Sequence, residues 1–92
     1  MKLIELIEKI EKFDEELIIF QENRADYNSD IILSNAEEGD QGVKVQNGKK
    51  YYYLIEVFLA KEFIEDWIQN LSYSPDPEEI AKILYYYAKN DA

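Results

Sequence analysis

Asp26, Asn28, Asp30, Ser34 and Glu37 are the residues whose types and spacing come nearest to a recognisable chemistry. They put oxygen donors at the first, third, fifth, ninth and twelfth positions of a calcium-binding helix-loop-helix motif, with the Ile32 carbonyl at the seventh. The sixth position of that motif needs glycine for its sharp turn, and Ile31 stands there. The preceding apolar run, Leu17 to Phe20, also reads as strand rather than as an entering helix. In a chain with 20 acidic residues, chance spacing competes with a built site. These five residues are therefore the weaker reading, and the expectation is no resident metal or cofactor.

The residue types that usually carry catalysis are scarce. Cysteine and histidine are both absent, which removes the thiolate nucleophile, the imidazole base and the commonest soft metal ligands. The serines, Ser29, Ser34, Ser72 and Ser74, have no Gly-x-Ser-x-Gly setting and no histidine to activate them. Gly39, Gly42 and Gly48 open no helix and precede no Lys-Ser or Lys-Thr pair, so no phosphate-cradling loop is encoded. The chain is expected not to be an enzyme.

Binding is better provided for. The net charge is −10, which repels phosphate backbones and anionic membranes and attracts basic protein surfaces. Residues 1–20 contribute −3, residues 21–50 contribute −2 and residues 51–92 contribute −5. Two tyrosine triplets, Tyr51-Tyr52-Tyr53 and Tyr85-Tyr86-Tyr87, hold six of the eight tyrosines. On a strand the middle residue points away from its neighbours, and on a helix three consecutive residues span about 200°. Neither triplet can lie wholly within one core face, and tyrosine is enriched where proteins meet partners. The candidate protein-binding residues are Tyr51, Tyr52, Tyr53, Glu56, Glu62, Glu65, Asp66, Tyr85 and Tyr86. Trp67 falls on an apolar helical stripe and reads as core.

The elements that must position these residues follow from periodicity. Leu3, Leu6, Ile7, Ile10 and Phe13 recur at helical spacing and predict a helix over residues 2–13. Leu17 to Phe20 and Ile31 to Leu33 are short β-rich runs. Asn47-Gly48 between β-prone segments predicts a two-residue hairpin with Gln46 opposite Lys49. Val57, Ala60, Phe63, Ile64, Trp67, Ile68 and Leu71 predict a second helix. Asp76-Pro77-Glu78-Glu79 encodes a helix start, with Asp76 as N-cap, Pro77 as first helical residue and Glu79 completing a capping box. That third helix is expected to reach about Ala88 and to bury Ile80, Ile83, Leu84 and Tyr87.

The expectation is a single α+β domain over residues 1–92. Its order is α-β-β-β-β-α-α, with a small antiparallel sheet of three to four strands and three helices packed mainly on one face. With no apolar run approaching the ~20 residues of a membrane span and no signal-peptide pattern at residues 1–9, the expected location is the cytoplasm. The functional expectation is a protein-binding module, such as an inhibitor or immunity-type protein that occludes a basic partner, without direct contact to nucleic acid or membrane. The alternative is an assembly module acting as a homodimer through tyrosine-rich surface. A DNA mimic is disfavoured by the interspersed Lys9, Lys12, Lys44, Lys49 and Lys50.

Overall fold

The computed structural model describes residues 1–35 and 42–91. Helix α1 (Leu3–Glu8) is followed by a 3-10 turn at Ile10–Lys12, strands β1 (Ile18–Gln21), β2 (Ile31–Ser34), β3 (Val43–Gln46) and β4 (Lys49–Glu56), and helices α2 (Val57–Gln69) and α3 (Pro77–Asp91). The strands form one antiparallel sheet in the order β2-β1-β4-β3. Among the described residues no helix is long and apolar enough to cross a membrane.

The first helix is shorter than its periodicity predicts. Lys9 leaves the helical region at φ −125, ψ 20, and the chain tightens so that Lys12 N–H bonds to the Lys9 carbonyl at 2.8 Å. Ile4, Ile7 and Ile10 are β-branched and hold a helix less well than straight-chain residues, and a 3-10 turn is a common way to end one. Ile10 and Phe13 still reach the main core.

The hairpin forms as its turn residues dictate. Asn47 and Gly48 have φ of 52 and 78, the paired positive values that match the twist of two antiparallel strands, and Gln46 pairs with Lys49. At the other end of β4 the ladder slips: Ile19 pairs with Ile55 but Phe20 pairs with Tyr53. Leu54 is therefore the extra residue of a β-bulge, which bends the sheet and turns two consecutive side chains to the same face. Leu54 and Ile55 are both buried against the helices.

That face carries the main core. Ile19, Ile31, Leu54 and Ile55 meet Leu3 and Leu6 of α1, Ala60 and Ile64 of α2, and Ile80 and Leu84 of α3. The opposite face has a smaller cluster of its own, in which Ile18, Phe20 and Tyr51 are buried with Ile32 and Tyr53 packed around them. Phe20 meets Tyr53 edge-on, with ring centroids 6.4 Å apart and an interplanar angle of 83°.

Polar contacts tie the connection between β1 and β2 to the rest. Gln21, the one buried polar residue among the described residues, donates through Nε2 to the carbonyls of Asp26 and Tyr27, each at 3.2 Å. The Tyr85 hydroxyl donates to the Arg24 carbonyl. Tyr27 donates to Glu78 Oε1 at 3.1 Å.

The start of α3 has Asp76 as its cap and Pro77 as its first residue, as the sequence predicts, but among the described residues the capping box lacks its second bond, from the Asp76 N–H to the Glu79 carboxylate. Asp76 Oδ1 accepts the Glu79 N–H at 2.8 Å, and the Glu79 carboxylate accepts the Tyr73 hydroxyl. That hydrogen bond, with some burial and the nearby charges of Glu79 and Asp76, raises the Tyr73 pKa above its ordinary value of 10.0. A raised folded-state value means that the contribution is fully present below pH 10.0 and is lost as pH rises through the folded value. The difference in ultraviolet phenolate absorbance between wild type and Tyr73→Phe is expected to titrate with a midpoint above 10.0. A midpoint at or below that value would show that the Tyr73–Glu79 contact does not persist in solution.

Candidate protein-binding groove

Four of the five calcium candidates, Asp26, Asn28, Asp30 and Ser34, lie among the described residues. Asp26 Oδ1 accepts the Asn28 N–H at 2.9 Å, a local turn contact. Asp30 forms an ion pair with Lys2 at 3.0 Å, and that hydrogen bond and charge hold its carboxyl below the ordinary carboxylate value. Ser34 sits at the far end of β2, opposite Ile18, and Ile31 at the supposed loop centre is a core residue. Glu37 lies outside the described residues. Among the described residues no group of three or more carboxylates is placed to hold a metal ion.

The nine candidate binding residues do not share one surface. Alternation along β4 puts Tyr51 and Tyr53 on the sheet face opposite the helices, where Tyr51 is buried and Tyr53 half-buried. Burial, then the charge of Glu56, raises the Tyr53 pKa. Tyr52 points the other way, opposite Val43, and is exposed. Tyr85 is buried and held by its bond to Arg24, so neither it nor Tyr51 is offered to a partner; Tyr86 is exposed, edge-on to Tyr85. Glu56 lines a cleft at the β4–α2 junction with Glu15, Glu16, Ile18 and Phe58. Glu65 lies on the flank of α2 that faces Ile7 and Ile10.

Glu62 and Asp66 are brought together. Residues four apart follow one another along a helix surface, so Leu59, Phe63 and Trp67 make one row of α2 and Glu62, Asp66 and Asn70 make the next. Tyr87 of α3 stacks on Phe63 with centroids 4.2 Å apart and an interplanar angle of 18°. These seven residues line a cleft of about 400 Å³. Leu59, Phe63, Trp67 and Tyr87 are half-buried, packed on the core yet reaching the cleft, while Glu62, Asp66 and Asn70 are exposed. Trp67 and Tyr87 pack on the core as their apolar spacing predicts, and also line the cleft, which that spacing does not predict. The paired rows at 59/63/67 and 62/66/70 were the available signal.

The charge in this groove is not neutralised from within. The ion pairs among the described residues are Lys2–Asp30, Lys49–Glu22, Lys61–Glu15 and Lys82–Glu78. Lys61, the base nearest in sequence to Glu62 and Asp66, turns to the segment after α1 instead, donating to the Phe13 carbonyl at 3.3 Å. Among the described residues no cation lies within ion-pair distance of either groove carboxylate. A comparison of the chain with protein-family models, with curated proteins and with solved structures finds no match.

Proposed function

We propose that this chain is a non-enzymatic, acidic protein-binding module that works in the cytoplasm by occluding a basic surface of another protein, as an inhibitor or immunity-type protein does. The observation that carries this reading is the α2–α3 groove. It joins two unneutralised carboxylates, Glu62 and Asp66, to the half-buried rings of Phe63, Trp67 and Tyr87. Partly covered aromatic side chains supply affinity at protein interfaces, and unpaired charge speeds encounter with an opposite surface. The net charge of −10 extends that attraction beyond the groove. A DNA mimic is less well supported, because lysines paired with carboxylates among the described residues interrupt the acidic surface.

The test compares immobilised wild type with the double variant Glu62→Lys, Asp66→Lys in extract of the source cell. Wild type is expected to retain a basic protein that the variant releases, and added wild type should inhibit that protein's activity at equal molar ratio. Identical captures by the two proteins would sink the proposal.

A second reading, a homodimer, draws on β3. This is an edge strand whose Val45 is 67% exposed, next to the strand that presents Tyr52, and exposed edges invite pairing. Light scattering at increasing concentration separates the two: a mass that stays at 10.9 kDa removes the dimer.

A further inference from the structure

We propose that the partner group read by the α2–α3 groove is an arginine side chain, distinguished there from lysine. The inference rests on the reading of this groove as a protein-binding site. Its two charged side chains are hydrogen-bond acceptors. Glu62 and Asp66 carry carboxylates one turn apart, about 6 Å along the helix. Asn70 already uses its Nδ2 to donate to the Asp66 carbonyl at 2.8 Å, which leaves its amide oxygen as a third acceptor. The floor is aromatic: the stacked pair of Phe63 and Tyr87, with Trp67 beside it.

A guanidinium meets both halves of such a site. It is planar and weakly hydrated, stacks on rings, and presents five N–H donors in a fixed fork that suits carboxylates. An ammonium is compact and strongly hydrated, so it can sit over a ring as a point charge but cannot stack flat on it or present a planar fork to a carboxylate. Elsewhere this chain places its own cations over rings, with Lys44 over Phe20 at 5.9 Å, Lys82 over Tyr27 at 5.4 Å and Lys89 over Tyr85 at 5.7 Å. The groove rings have no such cation among the described residues.

Trp67 is the only tryptophan in the chain, so its fluorescence reports on the groove without a label. The full chain is titrated with three short alanine-based helical peptides that are identical except for one pair of residues spaced four apart: arginine, lysine or citrulline. The arginine peptide is expected to change Trp67 emission and to bind about tenfold more tightly than the lysine peptide. Citrulline, flat but uncharged, should bind least. The variant Glu62→Gln, Asp66→Gln, which changes exposed side chains and should melt near the wild-type temperature, should lose the arginine response.

Equal binding of arginine and lysine overturns this inference while leaving the acidic docking groove standing. No binding of either overturns both. Arginine binding that survives undiminished in the glutamine variant places the contact elsewhere and overturns the inference as well.

Discussion

Phe20→Ala is expected to lower the stability of this chain by about 3–5 kcal/mol, the usual cost of emptying a buried aromatic site. A domain of this size has roughly 5–15 kcal/mol in total, so the variant should lie at the edge of folding. Phe20 is 2% exposed although it faces away from the helices. Its ring contacts Tyr53 edge-on and packs with Ile18 and Tyr51. Removing it leaves a hole in a cluster that, among the described residues, has three buried side chains, all of them from strands. Phe20→Leu keeps most of the volume and should cost about 1.5 kcal/mol or less. Thermal melts followed by circular dichroism measure both, with the alanine variant expected to fall by at least about 12 °C. A fall of under about 4 °C would mean that the second cluster contributes little and that the sheet is held from the helix side alone.

The second large effect concerns binding. Trp67→Ala should weaken association with a basic partner by about 2 kcal/mol or more, roughly a 30-fold loss, as expected for an aromatic anchor at the centre of an interface. Trp67 also packs on the rim of the core, so the melting temperature of the variant must be measured beside its affinity. Trp67→Phe keeps an apolar ring in the groove and should fall between wild type and alanine. Isothermal titration against the basic protein retained by wild type decides it. An alanine variant that binds within about threefold of wild type would remove Trp67 from the interface.

Several parts of this architecture were legible in the residues because the rules that set them are local. Asp76, Pro77 and Glu79 mark the start of α3 within one turn, and the Asp76 carboxylate caps the Glu79 N–H as they require. Asn47-Gly48 similarly fixes both the turn and the register of β3 against β4. The order of helices and strands followed from periodicity together with these cap and turn residues.

What escaped was decided by contacts between elements distant in sequence. Tyr51-Tyr52-Tyr53-Leu54-Ile55 reads as unbroken alternation, and nothing in it marks Leu54 as the bulged residue until β1 is placed beside it. The tyrosine triplets had to expose some members, but which ones depended on partners elsewhere. Phe20 covers Tyr51, and the Arg24 carbonyl, 61 residues away, takes the Tyr85 hydroxyl. The binding residues split for the same reason. Glu62 and Asp66 share a groove with Trp67 because Tyr87 of α3 closes its side, whereas Glu65, one position before Asp66, belongs to the other flank. A helical stripe tells which residues are apolar. It does not tell where the neighbouring helix stops covering them.

The claim on which the rest depends is that this acidic, aromatic flank of α2 is where a basic partner docks. Amide chemical-shift mapping tests it most directly, with the arginine-bearing helical peptide added to the labelled chain until no further change occurs. The predicted result is a set of shifts concentrated in residues 59–70 and around Tyr87, with the β3–β4 hairpin unmoved. The largest shifts falling instead on residues 43–53, with α2 unchanged, would contradict the account.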